Sequence, residues 1–190
     1  EFPEFLLSVG LYNYYREQYP ETHPAVKPLI GIFKSGDKAL GLKQLEKCVE
    51  TTTFTRPEAL SYITHIYLKY ESEYKKGLKY AQIAFNDFSE NPYFRSRYAE
   101  GLLKNNKESR ALNQIKVLKE DADILYKTIG LVFEGYYYEV FKKDDPKAEK
   151  AYALALKNYT ENEKIDQEYI CWSHVGLARI MERKGKKDAA

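Results

Sequence analysis

The feature that most constrains this chain is a recurring spacing. Small residues at Gly41, Gly77, Ala111, Ala148 and Ala190 are separated by 36, 34, 37 and 42 positions. Four and seven residues after each of the first four stand Leu45 and Cys48, Ala81 and Ala84, Ile115 and Leu118, Tyr152 and Ala155. Steps of four and seven share one face of a helix and alternate across a strand. A glycine or polar turn residue stands five positions ahead at Gly36, Asn106, Lys143 and Gly185, while Tyr74 leads Gly77 by three. Seven residues before the turn a further small residue recurs, Ala99 before Asn106 and Ala178 before Gly185. Two helices that pack closely in a hairpin need small side chains where their backbones cross, with larger ones in the groove to the next pair. At about 34 residues per hairpin, the 190 residues hold about five hairpins.

Helix punctuation agrees with that period. Thr55-Arg56-Pro57-Glu58 reads as a capping box with proline in the first turn, and Asn91-Pro92 and Asp145-Pro146 repeat the cap-then-proline device. Asp37 after Gly36 reads as another cap. The expected helices cover 4–19, 24–35, 37–52, 56–71, 73–89, 92–104, 107–119, 122–142, 146–159 and 165–184, with a last one starting near 187. No segment alternates for long, and 10 Gly with 7 Pro are too few for the turns of an all-β protein. The fold class expected is all-α, an α-α superhelix of stacked hairpins in a single domain over 1–190.

Several function classes lose support on composition alone. Lys and Arg total 30 against 28 Asp and Glu, a net charge of +2, without the basic stripe of a nucleic-acid binder. Two cysteines far apart, Cys48 and Cys171, make neither a disulfide framework nor a metal knuckle and read as two buried thiols. His23, His65 and His174 form no metal-binding spacing. The acidic pairs Asp121/Asp123 and Asp144/Asp145 flank helix starts, where carboxylates oppose the macrodipole. Neither a nucleophile elbow nor a phosphate-binding glycine loop is present, so the chain reads as no enzyme and no cofactor is implied. The most apolar stretch, Ile129 to Phe141, is broken by Glu134 and Glu139, so no transmembrane segment is expected.

The small-large-small pattern resembles the tetratricopeptide repeat. Leu177-Ala178 with Gly185 and Ala190, Ala148 with Tyr152 and Ala155, and Tyr67, Tyr74, Gly77, Ala84 and Pro92 carry the likeness. Across about residues 10–70, Gly10-Leu11-Tyr12, Tyr19-Pro20, Pro28-Leu29, Gly36-Asp37-Lys38 and Gly41-Leu42-Lys43-Gln44-Leu45 look like diverged repeat proteins of the Bacteroidetes. The resemblance implies a non-catalytic scaffold that binds a protein or peptide on its concave face. Carried over slot by slot, it implies a binding face of Glu58, Ser61 and His65, then Tyr93, Ser96 and Glu100, then Phe133 and Tyr137, then Trp172 and Arg179. It also favours a periplasmic or cell-envelope setting over a cytoplasmic one.

Eighteen tyrosines and nine phenylalanines invite a second reading, an envelope-associated glycan or small-ligand binder with a tyrosine-rich groove. The rings of Phe133, Tyr136, Tyr137, Tyr138 and Phe141 go all round one helix, so one or two should line an open face. A third reading is an adaptor that forms homo-oligomers through its terminal helices. The chain begins at Glu1, and the hairpin opened by helix 165–184 ends at Ala190 after one turn of its second helix, so the sequence reads as a piece of a longer repeat protein.

Overall fold

The structure, a computed structural model, describes residues 2–161 and 167–185. Among them every regular element is helical. Contacts group the chain into two compact units, Glu1–Ala84 and Phe85–Ala190.

In the first unit α1 (Phe5–Thr22) runs antiparallel to α3 (Lys38–Thr51). The crossing is tight because Gly10 and Gly41 face each other: a Cβ on Gly41 would lie 2.6 Å from the Tyr14 backbone nitrogen. Asn13 Nδ2 donates to Gln44 Oε1 at 2.8 Å, and Tyr14 Oη donates to Glu71 Oε1 at 2.6 Å. Between these helices the expected helix 24–35 shrinks to a 3₁₀ turn, Pro24–Val26, and the single turn α2 (Lys27–Ile30). Pro28 lacks the N–H that would bond back to the carbonyl of residue 24, and Gly31 follows, so little sustains a longer helix.

α4 (Arg56–His65) starts without the expected capping box. The Thr55 hydroxyl donates to Glu4 Oε2 at 2.5 Å, and the same carboxylate accepts from the backbone N–H groups of Thr53, Phe54 and Thr55. A carboxylate from the start of α1 thus takes the role that the local sequence assigned to Glu58. α4 ends in a π turn, Ile66–Tyr70, and α5 (Tyr74–Asp87) follows.

The second unit is an up-and-down run of α6 (Pro92–Lys104), α7 (Glu108–Lys119), α8 (Ile124–Tyr137, then a π turn Tyr138–Lys142), α9 (Asp145–Glu161) and α10 (Gln167–Arg183). Each helix packs on the next, and α8 also packs on α6 and α10, so α6, α8 and α10 share one layer and α7 and α9 the other. Asn91 caps α6 through Tyr93 N and Asp123 caps α8 through Leu125 N. At α9 the cap is Asp144, which accepts from Lys147 N; Asp145, the expected cap, pairs instead with Arg183 at 2.7 Å.

The repeat spacing has a backbone counterpart. Ser72, Asn106, Lys143 and Gly185 adopt left-handed conformations, with φ of 54°, 55°, 53° and 73°. Ser72, Asn106 and Lys143 stand five residues before Gly77, Ala111 and Ala148, so the three-residue lead read from Tyr74 becomes a regular five from Ser72. At Asn106 the geometry is a Schellman stop: Lys107 N donates to Leu102 O at 2.9 Å and Asn106 N to Leu103 O at 3.1 Å. Gly36 is not left-handed and fits for another reason, because a Cβ there would meet Asn13 O at 2.6 Å. From Gly41, Gly77, Ala111 and Ala148, every position at zero, four and seven is buried. Ala190 and the helix expected near 187 lie outside the described residues.

Candidate functional site

The layer formed by α6, α8 and α10 carries most of the residues picked out by repeat position. On α6, Tyr93, Arg97, Glu100 and Lys104 recur at steps of three and four and therefore share a face. α8 contributes Phe133 and Tyr136, and α10 contributes Tyr169, Trp172 and Arg179. The rings form one connected cluster. Phe133 lies 5.6 Å from Tyr169 and 5.8 Å from Trp172, and Tyr136 lies 5.7 Å from Trp172. Lys104 Nζ sits 4.6 Å from the centre of the Trp172 ring, a cation–π contact.

Above that cluster opens a groove of about 240 Å³, lined by Lys104, Tyr136, Cys171, Trp172, Val175 and Arg179. Val175 and Cys171 are exposed there, so Cys171 is not the buried thiol expected, whereas Cys48 is. Of the ten residues assigned to a binding face, Trp172 and Arg179 line this groove. Phe133 is its buried support. Tyr93 is half-buried under the guanidinium of Arg97, at 5.3 Å.

Other assigned positions are interior. Ser96 is buried and its hydroxyl donates back to Tyr93 O at 2.7 Å. Glu100 has no exposed surface and pairs with Arg97 at 3.3 Å. Tyr137 is buried against Tyr138 and Phe141. The physical reason is that α8 lies between α6 and α10 in its layer, so slots that would be open on a lone hairpin are covered by the next one. Glu58, Ser61 and His65 belong to the first unit, where Glu58 is exposed and His65 is half-buried, edge-on to Tyr70 at 5.3 Å.

Two charge clusters stiffen this layer. Arg97 is 11% exposed at its side chain; its Nη1 donates to Tyr169 Oη at 3.1 Å, and its Nε has no hydrogen-bond partner. Burial works against the Arg97 charge, but the neighbouring Tyr169, Glu100 and Tyr93 outweigh it and hold the guanidinium firmly protonated. Glu139, buried in the π turn, accepts from Arg179 at 2.7 and 2.8 Å and from Tyr152 Oη at 2.9 Å, with Arg183 at 3.4 Å. Burial raises the Glu139 carboxyl, yet the hydrogen bonds of Arg179 and Tyr152 and the two arginine charges prevail and hold it below its ordinary range. For Tyr152 burial and the nearby Glu139 act together and push the phenol up. Arg179 is thus anchored by one end to the core while its side chain remains half-exposed at the groove.

Sequence reasoning missed Lys104, Tyr136, Cys171 and Val175. Lys104 was legible as the next step on the Tyr93–Arg97–Glu100 face. Tyr136 belongs to the ring cluster that goes all round α8, and it is one of the rings that reaches an open surface. Among the described residues no group of three or more His, Cys, Asp and Glu is placed to hold a metal ion. None of the described helices is long and apolar enough to cross a membrane. Comparison of the chain with family models, with curated proteins and with solved structures gives no match.

Proposed function

We propose that this chain is a non-catalytic scaffold of tetratricopeptide-like hairpins that binds a peptide segment of another protein in the groove over Trp172. The lining of that groove carries the reading: two rings, an aliphatic side chain and two cations on three helices of one layer. A hollow open along successive helices suits an extended chain better than a small molecule, which favours enclosure. Tryptophan and arginine are the side chains that most often dominate binding energy at such surfaces. The left-handed stops at Ser72, Asn106 and Lys143, each five residues before a small residue, support the repeat reading. Lys104 and Arg179 favour a peptide with an acidic residue beside an apolar one.

The half-buried rings of Tyr136 and Trp172, tilted by 43°, favour a second reading in which a sugar or other flat ligand stacks there. One titration separates the two. Trp172 is the sole tryptophan, so intrinsic fluorescence reports on the groove directly. A saturable change on adding acidic–apolar peptides, weakened about tenfold or more (about 1.4 kcal/mol) in Lys104→Glu and Val175→Asp, supports the peptide reading. A response to oligosaccharides but not to peptides supports the second. No response to either class, or peptide binding indifferent to both substitutions, overturns the assignment of the groove.

A further inference from the structure

Most of the exposed large apolar side chains among the described residues lie in the first unit. Three of them crowd a single turn. Leu29, Ile32 and Phe33 are 65%, 83% and 64% exposed, Leu29 on the short helix and the other two in the turn that follows it. This protrusion is held and not loose. Tyr12 Oη donates to Lys34 O at 2.6 Å, Arg16 Nε donates to the same oxygen at 3.1 Å, and Arg16 Nη2 donates to Phe33 O at 3.1 Å. Two carbonyls of the turn are therefore held from α1 while its apolar side chains are exposed.

Lys27 and Lys34 flank the apolar trio, both are exposed, and neither side chain has an ion-pair partner among the described residues. The nearby acids turn to α3 and not to these lysines: Asp37 accepts from Leu40 N, Glu17 accepts from Lys38 N, and Glu21 pairs with Lys38. Isolated exposed apolar residues are ordinary, but three on one ordered turn between two unpaired cations make a contact surface. Its chemistry matches the boundary of an anionic bilayer, where aliphatic and aromatic side chains enter the acyl edge and lysines meet the headgroups.

We propose that the turn Leu29–Lys34 docks this protein peripherally on an anionic lipid surface, with Leu29, Ile32 and Phe33 entering the interface and Lys27 and Lys34 pairing with lipid phosphates. This site is independent of the groove over Trp172. The test is co-sedimentation of the 190-residue chain with vesicles of phosphatidylcholine alone or mixed with phosphatidylglycerol. Binding should favour the mixed vesicles and fall in about 0.5 M salt, where the Debye length is only about 4 Å. Ile32→Ser with Phe33→Ser should lose binding at least tenfold, and Lys27→Glu with Lys34→Glu should remove the preference for anionic lipid. Both double variants alter exposed positions, and circular dichroism checks that their helicity is unchanged. Equal binding by the serine variant, no binding to either vesicle, or loss of binding on Phe5→Ser alone overturns the proposal. So does an unmutated chain that is a dimer at micromolar concentration and becomes a monomer in the serine variant, because the turn then covers a second copy and not a membrane.

Discussion

Tyr152 shows what single residues contribute to this fold. Its ring is fully buried between two glycines: a Cβ on Gly135 would lie 2.5 Å from Cδ1, and one on Gly176 would lie 2.5 Å from Cζ. Its hydroxyl closes on Glu139. The ring thus links α8, α9 and α10, and the glycines are there because no side chain fits beside it. Gly176→Ala should destabilise the protein by about 1–3 kcal/mol, since the added methyl overpacks a filled core. Gly185→Ala should cost only about 1 kcal/mol, because that glycine needs its left-handed backbone but faces open space. Urea titration of both variants checks the order, and a Gly176→Ala midpoint at or above that of Gly185→Ala would sink this account. The same scale explains the interior slots: Glu100→Ala and Tyr137→Ala remove buried groups, so their first effect is on stability and not on a partner.

At the scale of elements, a left-handed stop follows α4 with its π turn, α6, α8 and α10, though not α1. Lys143 occupies such a stop with φ 53° and ψ 33° at the close of the π turn of α8. A lysine there bears a Cβ strain that glycine avoids, and its side chain is exposed, so little packing is at stake. Lys143→Gly should therefore raise stability by roughly 0.5–1 kcal/mol after the larger chain entropy of glycine is subtracted. Asn106→Gly should gain less, since asparagine tolerates this region. Matched chemical denaturation curves for the two variants test the ranking; a lysine variant that loses stability would mean that the side chain of Lys143 contributes more than its conformation costs. Helices were readable from one sequence because caps, prolines and small residues act within a few positions. The exceptions were instructive. The box at Thr55–Glu58 was displaced by Glu4, some fifty residues away, and no local pattern carries that information.

For the whole molecule, the two compact units carry separate acid-sensitive bolts. Glu71 in the first is raised by burial but held low on balance by Tyr14 and Lys38, and Glu139 in the second by Arg179 and Tyr152. A carboxyl held below its unfolded value of about 4.3 contributes stability that is complete above that pH and is lost as pH falls through the folded value. Glu139→Gln should therefore be less stable than the unmutated chain at pH 7, with the gap closing below about pH 4. Native-state hydrogen exchange should locate the loss in residues 85–161 and 167–185, leaving 5–84 unchanged. A gap that persists at low pH would show that packing of the amide, not charge, is responsible.

The order of the helices, their buried faces and the period that relates them follow from spacing along the chain, because helical contacts and caps depend on neighbours three to seven residues away. Which of the remaining positions a further helix then covers does not. Ser96, Glu100, Phe133 and Tyr137 stand at positions that repeat spacing marks as open, and the layering of α8 against α6 and α10 closes them. Cys171 and Val175 flank Trp172 on α10, but Lys104 of α6 and Tyr136 of α8 became its neighbours only through contacts between helices more than thirty residues apart. Burial of one helix by another depends on packing distances that sequence spacing does not encode, so the groove was settled by assembly and the helices by local chemistry.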